Sequence, residues 1–401
     1  MSTIESASIG PDARALEIRC ALGLLRVKGI GSMRACKLVG VFGSARAVLG
    51  ASIEALVRSG LVNEAGALAI RNAHPVAHDD PVVVFHHEHR AATSVLLFAD
   101  EAYPDLLGRI SQPPMLLWAR GRATPKMAPA VAIVGSRRAS DRGRRLAWKW
   151  AYRLASAGVT VVSGLAEGID AAAHEGALAA GGYTVAVVGT GIDRVYPAGN
   201  RALAMEIARS GLILSEFDPG TGPRAHHFPR RNRIIAGLSH MVVVVEAEEE
   251  SGSLITARMA QDENREVGLV PGWPGDPNSA GTNAGIRECL GGLLTAPEDI
   301  LHTLDCIPSL DWTPPEHERA AVDSRRRPDR ETRRRVGRRS PVRSGTPKGM
   351  IRQHLQAGPA SAESLLMVTH MDRASLETAL LDLLLEDRIR LGDDQRYHWH
   401  R

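Results

Sequence analysis

Ala130-Val-Ala-Ile-Val-Gly-Ser-Arg-Arg-Ala-Ser140 reads as a strand that ends in a glycine turn and opens a helix. Val131–Val134 is apolar at every position, which suits a strand buried on both faces. The pattern recurs at Val159–Val162, Thr184–Val188, Leu212–Leu214, Met241–Val245 and Val267–Val270. Helical stretches at 141–157, 170–180 and 200–210 separate several of these runs. The alternation predicts an α/β fold with a Rossmann-like, doubly wound, mostly parallel sheet. Ligands of such sheets bind beyond the carboxyl ends of the strands. Gly135-Ser-Arg137, Ser163-Gly-Leu-Ala-Glu-Gly168 and Gly189-Thr-Gly191 all fall there.

The turn after the first strand has the ingredients of a phosphate site. Gly135 allows close approach to the backbone, and Ser136, Arg137 and Arg138 add donors and charge. The helix behind them offers N–H groups and a positive dipole end. From Arg137 to Lys149 six basic residues face only Asp141. A purely structural turn is the competing reading. The Gly-x-Gly-x-x-Gly spacing of a dinucleotide site is absent, and the second strand ends in Ser163-Gly164 rather than in an acidic residue. No Walker-type Gly-Lys-Ser/Thr loop occurs.

A second basic cluster is Phe228-Pro-Arg-Arg-Asn-Arg-Ile-Ile-Ala-Gly-Leu-Ser239. It brings Arg224, Arg230, Arg231, Asn232 and Arg233 together beside His226 and His227. No acidic residue lies between Asp218 and Glu246. Guanidinium forks match phosphate oxygens two at a time, and Phe228 supplies a surface for a base. This segment is expected to be a basic loop at the sheet rim, with a solvated surface loop as the alternative.

Working outward, residues 1–78 form an N-terminal helical segment. In it Val27-Lys-Gly-Ile-Gly-Ser-Met-Arg-Ala-Cys-Lys-Leu38 predicts a hairpin between two helices. Helix-hairpin-helix (SAM-like) and plain bundle turn both fit. Residues 79–128 connect to the α/β domain, 129–307, and 113–121 is read as extended. Residues 308–346 form a Pro- and Arg-rich linker. Ten Arg between Arg325 and Arg343 oppose Asp329 and Glu331, a local +8 in a chain of net charge +4. Residues 347–401 give three helices and a two-stranded wing, a winged-helix-like domain. Its third helix, near 373–387, carries Glu377, Asp382, Glu386 and Asp387 against Arg373. That charge argues against major-groove binding.

Aromatics make up 4% of the chain, which favours a phosphate-directed grip over an extended stacking platform. Cys20, Cys36, Cys289 and Cys306 lack metal-ligand spacing and read as buried thiols of a reducing compartment. No signal pattern and no bilayer-length apolar run is present, so a cytoplasmic protein with no membrane contact is expected.

Other reactive side chains have bland alternatives. Asp170 and His174, four apart on a helix, suit either a shared metal or an internal hydrogen bond. His86-His-Glu-His89, read as a strand, splits its side chains between two faces. Ser251-Gly-Ser-Leu-Ile-Thr256 lacks the Gly-x-Ser-x-Gly elbow, and helix capping is the expected role of its serines. No catalytic residue, metal or cofactor is assigned.

Taken in order, several motifs resemble the bacterial DNA-processing protein A (Smf) family across roughly residues 95–300. They are Tyr103-Pro104, Gly135-Ser-Arg137, Ser163-Gly-Leu-Ala-Glu-Gly-Ile-Asp170, Ala173-His-Glu-Gly-Ala177, Gly189-Thr-Gly-Ile-Asp193 with Tyr196-Pro197, Ser215-Glu216, the Phe228–Ser239 stretch, Ser251-Gly-Ser-Leu-Ile-Thr-Ala257 and Gly281-Thr-Asn283. The resemblance implies a non-enzymatic, dimeric single-stranded-DNA-binding protein of natural transformation. Such a protein protects incoming DNA and loads the RecA recombinase, displacing single-strand-binding protein. Carried over by motif, Gly135, Ser136 and Arg137 cradle a phosphate, and Phe228 with Arg231-Asn232-Arg233 lines the DNA groove. Arg138, Gly164 and Arg230 complete the candidate set. Ala284-Gly285-Ile286 departs from the family's Leu-Ile pair, and the linker is longer and more basic than expected. The alternative is a phosphoribohydrolase-like nucleotide-processing enzyme, whose Pro-Gly-Gly-x-Gly-Thr-x-x-Glu motif is absent.

Overall fold

The computed structural model describes residues 11–122, 129–307, 310, 312, 347–369, 371–385, 388–392 and 396–399. Its strands, in chain order, are β1 (Thr93–Leu97), β2 (Leu116–Gly121), β3 (Ala130–Val134), β4 (Thr160–Ser163), β5 (Thr184–Val188), β6 (Leu212–Ser215), β7 (Met241–Val244), β8 (Glu266–Leu269) and β9 (Gly292–Leu293). They pair into one sheet in the order β1-β2-β6-β5-β4-β3-β7-β8-β9. From β6 to β9 every pair is parallel, while β1 and β2 add an antiparallel edge. The chain therefore moves outward one way through β3, β4, β5 and β6, then restarts beside β3 with β7. That reversal is the topological switch point of a Rossmann-like sheet, where ligands lodge beyond the strand ends.

The expected strands follow from burial on both faces. All five residues of β3 and of β5 are buried, and so are all four of β4, β6 and β7. One face packs Val131, Ile133, Val161 and Val243 against Ala147, Trp150, Leu154 and Ile300. The other packs Ala132, Val134, Val185 and Val242 against Ile234, Ile235, Leu238 and Leu254.

Three helix starts are specified locally. Ser140 caps Asp141–Ser156 through Gly143 N, Ser251 caps Gly252–Asp262 through Ser253 N, and Asp276 with Pro277 opens Pro277–Arg287. The capping role expected of Ser251 holds. His86 to His89 is helix rather than strand. Asp80 caps Pro81–His89 with proline in the first turn, a local start signal that outweighs the β-branched run behind it.

Residues 11–71 form five helices. Their core is continuous with that of the sheet: Leu22, Cys36, Met115, Trp118, Val188 and Ile207 belong to one buried cluster. Ser32 Oγ accepts Met115 N at 2.7 Å, and Arg14 meets Asp100 at 2.5 Å. Cys20 and Cys36 are buried, and burial pushes the Cys36 thiol up to about 12. Cys289 and Cys306 are exposed, contrary to the expectation of four buried thiols, because each sits at a helix C-terminus facing solvent.

Contacts divide the chain into two units, Met1–Arg326 and Arg327–Arg401. The second contains helices Pro347–Ala357, Ala362–Thr369 and Arg373–Leu385 and the antiparallel pair Ile389–Leu391 and Tyr397–Trp399. Ile351, Leu355, Leu365, Leu376, Leu380 and Leu383 form its core. Asp382 pairs with Lys348 at 3.0 Å, so part of the third helix's acidity is neutralised within the unit. The Arg-rich segment 325–343 lies outside the described residues.

Candidate nucleic-acid interface

A cleft of about 310 Å³ opens where β3 and β7 end, at the switch point. Gly135, Ser136, Arg137 and Arg138 wall one side. Phe228, Arg231 and Asn232 wall another, and Glu248 to Ser253 close the third. A smaller cavity of about 70 Å³, lined by Gly164, Gly189, Tyr196 and Pro197, adjoins it. Arg137, Phe228 and Arg231 line both spaces and stand between them.

At this shared wall the Arg137 guanidinium carbon lies 4.8 Å from the Phe228 ring centroid, and Tyr196 tilts toward Phe228 at 5.8 Å. A cation over an aromatic face is a stable surface contact. It also presents charge and a flat ring to the same opening.

Gly135 and Gly164 are required by packing. A Cβ on Gly135 would lie 2.6 Å from Ile169 Cγ1 and 2.8 Å from Glu246 O. A Cβ on Gly164 would collide with the Arg231 guanidinium. Their missing side chains thus admit neighbouring protein groups, not an incoming anion.

The helix behind the turn already holds an anion. Glu246, 7% exposed, accepts Ser140 N at 2.9 Å and Ser140 Oγ at 2.5 Å, and Ser140 Oγ accepts Gly143 N. The expected free helix terminus is corrected accordingly: Glu246 and Ser140 satisfy it. What faces the cleft is the loop itself. Ser136 Oγ accepts Arg138 N at 3.1 Å and fixes the turn. The Arg138 side chain is 84% exposed, with Glu248 its partner at 3.1 Å.

The Phe228–Ser239 stretch is not a loop. It lies in the helix His227–Leu238, with Pro229 in its first turn and Ile234, Ile235 and Leu238 buried. This separates the arginines. Arg231 points inward and is 4% exposed, donating Nη1 to Val187 O at 2.7 Å. Burial pulls it down to about 10, against the opposing pull of Asp170. Asp170 is itself held above the usual carboxylate range by burial, with Arg231 as its countercharge. Arg231 Nε is buried without a partner among the described residues. Arg231 is therefore the floor of the cleft rather than a surface grip.

Arg230 and Arg233 converge on Glu216, whose side chain is 4% exposed, at 2.9 Å and 2.5 Å. Arg233 also donates to Gln112 O at 2.7 Å. Both are committed to an internal anion 14 and 17 residues upstream. Asn232 donates to Gly252 O at 3.3 Å and ties two helices together at the cleft wall.

Asp170 and His174 do not meet. Asp170 Oδ2 accepts Gly164 N at 3.1 Å, while His174 Nδ1 contacts Thr184 Oγ1 at 2.7 Å. Among the described residues no group of three His, Cys, Asp or Glu is placed to hold a metal ion. No helix among them is long and apolar enough to cross a membrane.

Sequence reasoning missed Ser140, Glu246 and Glu216. The Ser140–Glu246 pair spans 106 residues, and nothing local announces it. Glu216 was quotable only as part of a Ser215-Glu216 motif.

Fold and cleft together define a Rossmann-like protein with a cleft at its switch point, lined by Arg137, Arg138 and Arg231 and by Asp170, Glu248 and Glu250. The family model described as DNA recombination-mediator protein A matches residues 94–305, more than half of the chain. The chain belongs to that family. It is 42% identical over 232 residues to Protein Smf of Synechocystis, covering 57% of this chain and 58% of that protein. It is 45% identical over 202 residues to DNA processing protein DprA of Streptococcus pneumoniae, covering 50% and 71%. The solved structure of the Streptococcus pneumoniae protein superposes with a TM-score of 0.60 at 34% identity, over 72% of this chain and 96% of that one. The matched part thus spans a little over half of the Synechocystis relative.

Proposed function

We propose that this chain binds single-stranded DNA in the switch-point cleft and hands it to a recombinase of the RecA type during natural transformation or recombination. The observation that carries the reading is the Arg137–Phe228 contact at the cleft mouth. It puts an always-charged donor fork and a ring at one opening, where a phosphate and an unpaired base can be held together. A duplex keeps its bases stacked inside and cannot use the ring.

Family membership supports the recombination setting, since a recombination mediator serves a recombinase. Displacement of single-strand-binding protein, action as a homodimer and a cytoplasmic location belong to the same reading. In it no catalytic residue is assigned, and no metal or cofactor takes part.

The test is fluorescence anisotropy of a labelled oligonucleotide with the full chain, run beside an assay for base release from nucleoside monophosphates. Binding of single strands in preference to duplex, without base release, is expected. Base release with no strand binding would move the assignment to a phosphoribohydrolase-like enzyme.

A further inference from the structure

We propose that the solvent face of the helix Asp141–Ser156 is a second nucleic-acid surface, a base-stacking strip that continues the strand's path away from the cleft. The inference rests on the cleft reading above and extends it to residues outside the cleft.

The helix starts at the phosphate turn, capped by Ser140. Its inner face, with Ala147, Trp150, Ala151 and Leu154, is buried against the sheet. The outer face carries Arg142, Arg145, Trp148, Lys149 and Tyr152, all exposed. Residues three and four apart share a helix face, so Arg145, Trp148, Lys149 and Tyr152 form one patch.

Trp148 and Tyr152 stack on each other with ring centroids 5.3 Å apart and planes 16° from parallel. They remain 36% and 41% exposed. The chain has only six Trp, five Tyr and five Phe. Two of them stacked on an exposed, basic helix is therefore an unusual allocation, since most aromatic area is buried in cores.

The charge of the patch selects the occupant. The helix carries five basic residues against Asp141. Arg144 pairs with Asp141, and Arg153 pairs with Glu298 at 3.3 Å. Among the described residues Arg142, Arg145 and Lys149 make no ion pair or side-chain hydrogen bond. Cations flanking two stacked, partly exposed rings match the makeup of single-strand surfaces, where bases stack and phosphates meet the cations. Double-stranded DNA would offer the phosphates but no base.

Reach is consistent with this path. At about 1.5 Å per residue, Trp148 lies roughly 12 Å and Tyr152 roughly 18 Å beyond the cap Ser140. At about 3.4 Å per stacked nucleotide, that is some four to five nucleotides past the turn. A strand of about three nucleotides seated in the cleft stops short of the strip; one of about 20 covers both.

The experiment compares oligothymidylates of about 3 and about 20 nucleotides on the full chain and on Trp148→Ala/Tyr152→Ala. The double variant should lose at least about fivefold in affinity for the long strand, the least that one lost stacking contact costs. Its affinity for the short strand should be unchanged. Trp148→Phe/Tyr152→Phe should recover most of the loss, and Arg145→Ala/Lys149→Ala should reproduce it with a shallower salt dependence. Equal long-strand affinity in wild type and double variant, with short-strand binding intact, overturns this inference alone. Equal loss for both lengths overturns it too, since the patch would then act on the cleft. An altered sedimentation profile with unchanged long-strand affinity would make the patch a protein interface instead. If the wild type binds neither length, the cleft reading falls first and this inference with it.

Discussion

Arg137 and Phe228, 91 positions apart in the chain, meet with the guanidinium carbon 4.8 Å from the ring centroid. A turn after β3 and a helix leading into β7 thereby share one ligand-facing contact. Because the two touch, their contributions to binding are coupled. Arg137→Ala and Phe228→Ala should each weaken single-strand binding by about 1–3 kcal/mol. The double variant should lose less than the sum. A double-mutant cycle by anisotropy reads this directly, and strict additivity would separate the two residues functionally.

Arg231→Ala should behave differently from Arg137→Ala. It leaves the buried Asp170 without its countercharge and opens space against Gly164. Losing the buried bond to Val187 O should cost about 1–3 kcal/mol. Urea unfolding should show that loss, whereas Arg137→Ala should unfold like wild type. An Arg231→Ala protein of full stability with only its DNA binding reduced would return Arg231 to the surface role first expected of it.

The contrast shows what the sequence conveyed. Six of the seven parallel strands were legible because runs such as Val131–Val134 are apolar on both faces, and the sheet order then puts their glycine-rich ends at one edge. The arginines were legible as a cluster but not as individuals. Arg230, Arg231 and Arg233 differ only in where a helix points them: toward Glu216 from the surface, toward Val187 O, and toward Gln112 O and Glu216. A turn reading hid that 3.6-residue period, although Pro229 and the buried Ile234 and Ile235 carried it. The Glu246 carboxylate at the helix start was not legible, since only the β3–β7 pairing brings it there.

Acid should destabilise the protein through His174. Burial, with Arg231 adding its repulsion, pushes this imidazole down to about 3 from an ordinary 6.5. Between those values the unfolded chain holds a proton that the native chain does not. Stability therefore rises with pH across the window and is lost as pH falls below about 6.5, by at most about 1.4 kcal/mol per unit. Asp170, whose carboxyl burial holds above its usual range, acts in the opposite sense from about pH 3.9 upward. Urea midpoints between pH 4 and 7 for wild type and His174→Gln should differ in slope by about one proton. Identical slopes would remove His174 from the account.

The ten arginines of 325–343 carry charge without any patterned apolar face. Deleting the segment should lower affinity and flatten the salt dependence, because fewer counterions are released. Preference for single strands over duplex should persist. Loss of that preference would place selectivity outside the cleft.

The most direct test of the phosphate grip is a salt titration of oligonucleotide binding by wild type and Arg137→Ala. Log affinity should fall linearly with log salt, with a slope of about −0.7 per phosphate neutralised. If Arg137 holds one phosphate, the variant's line should be shallower by about 0.7 as well as lower. Parallel lines, or a wild-type affinity indifferent to salt, would contradict the account.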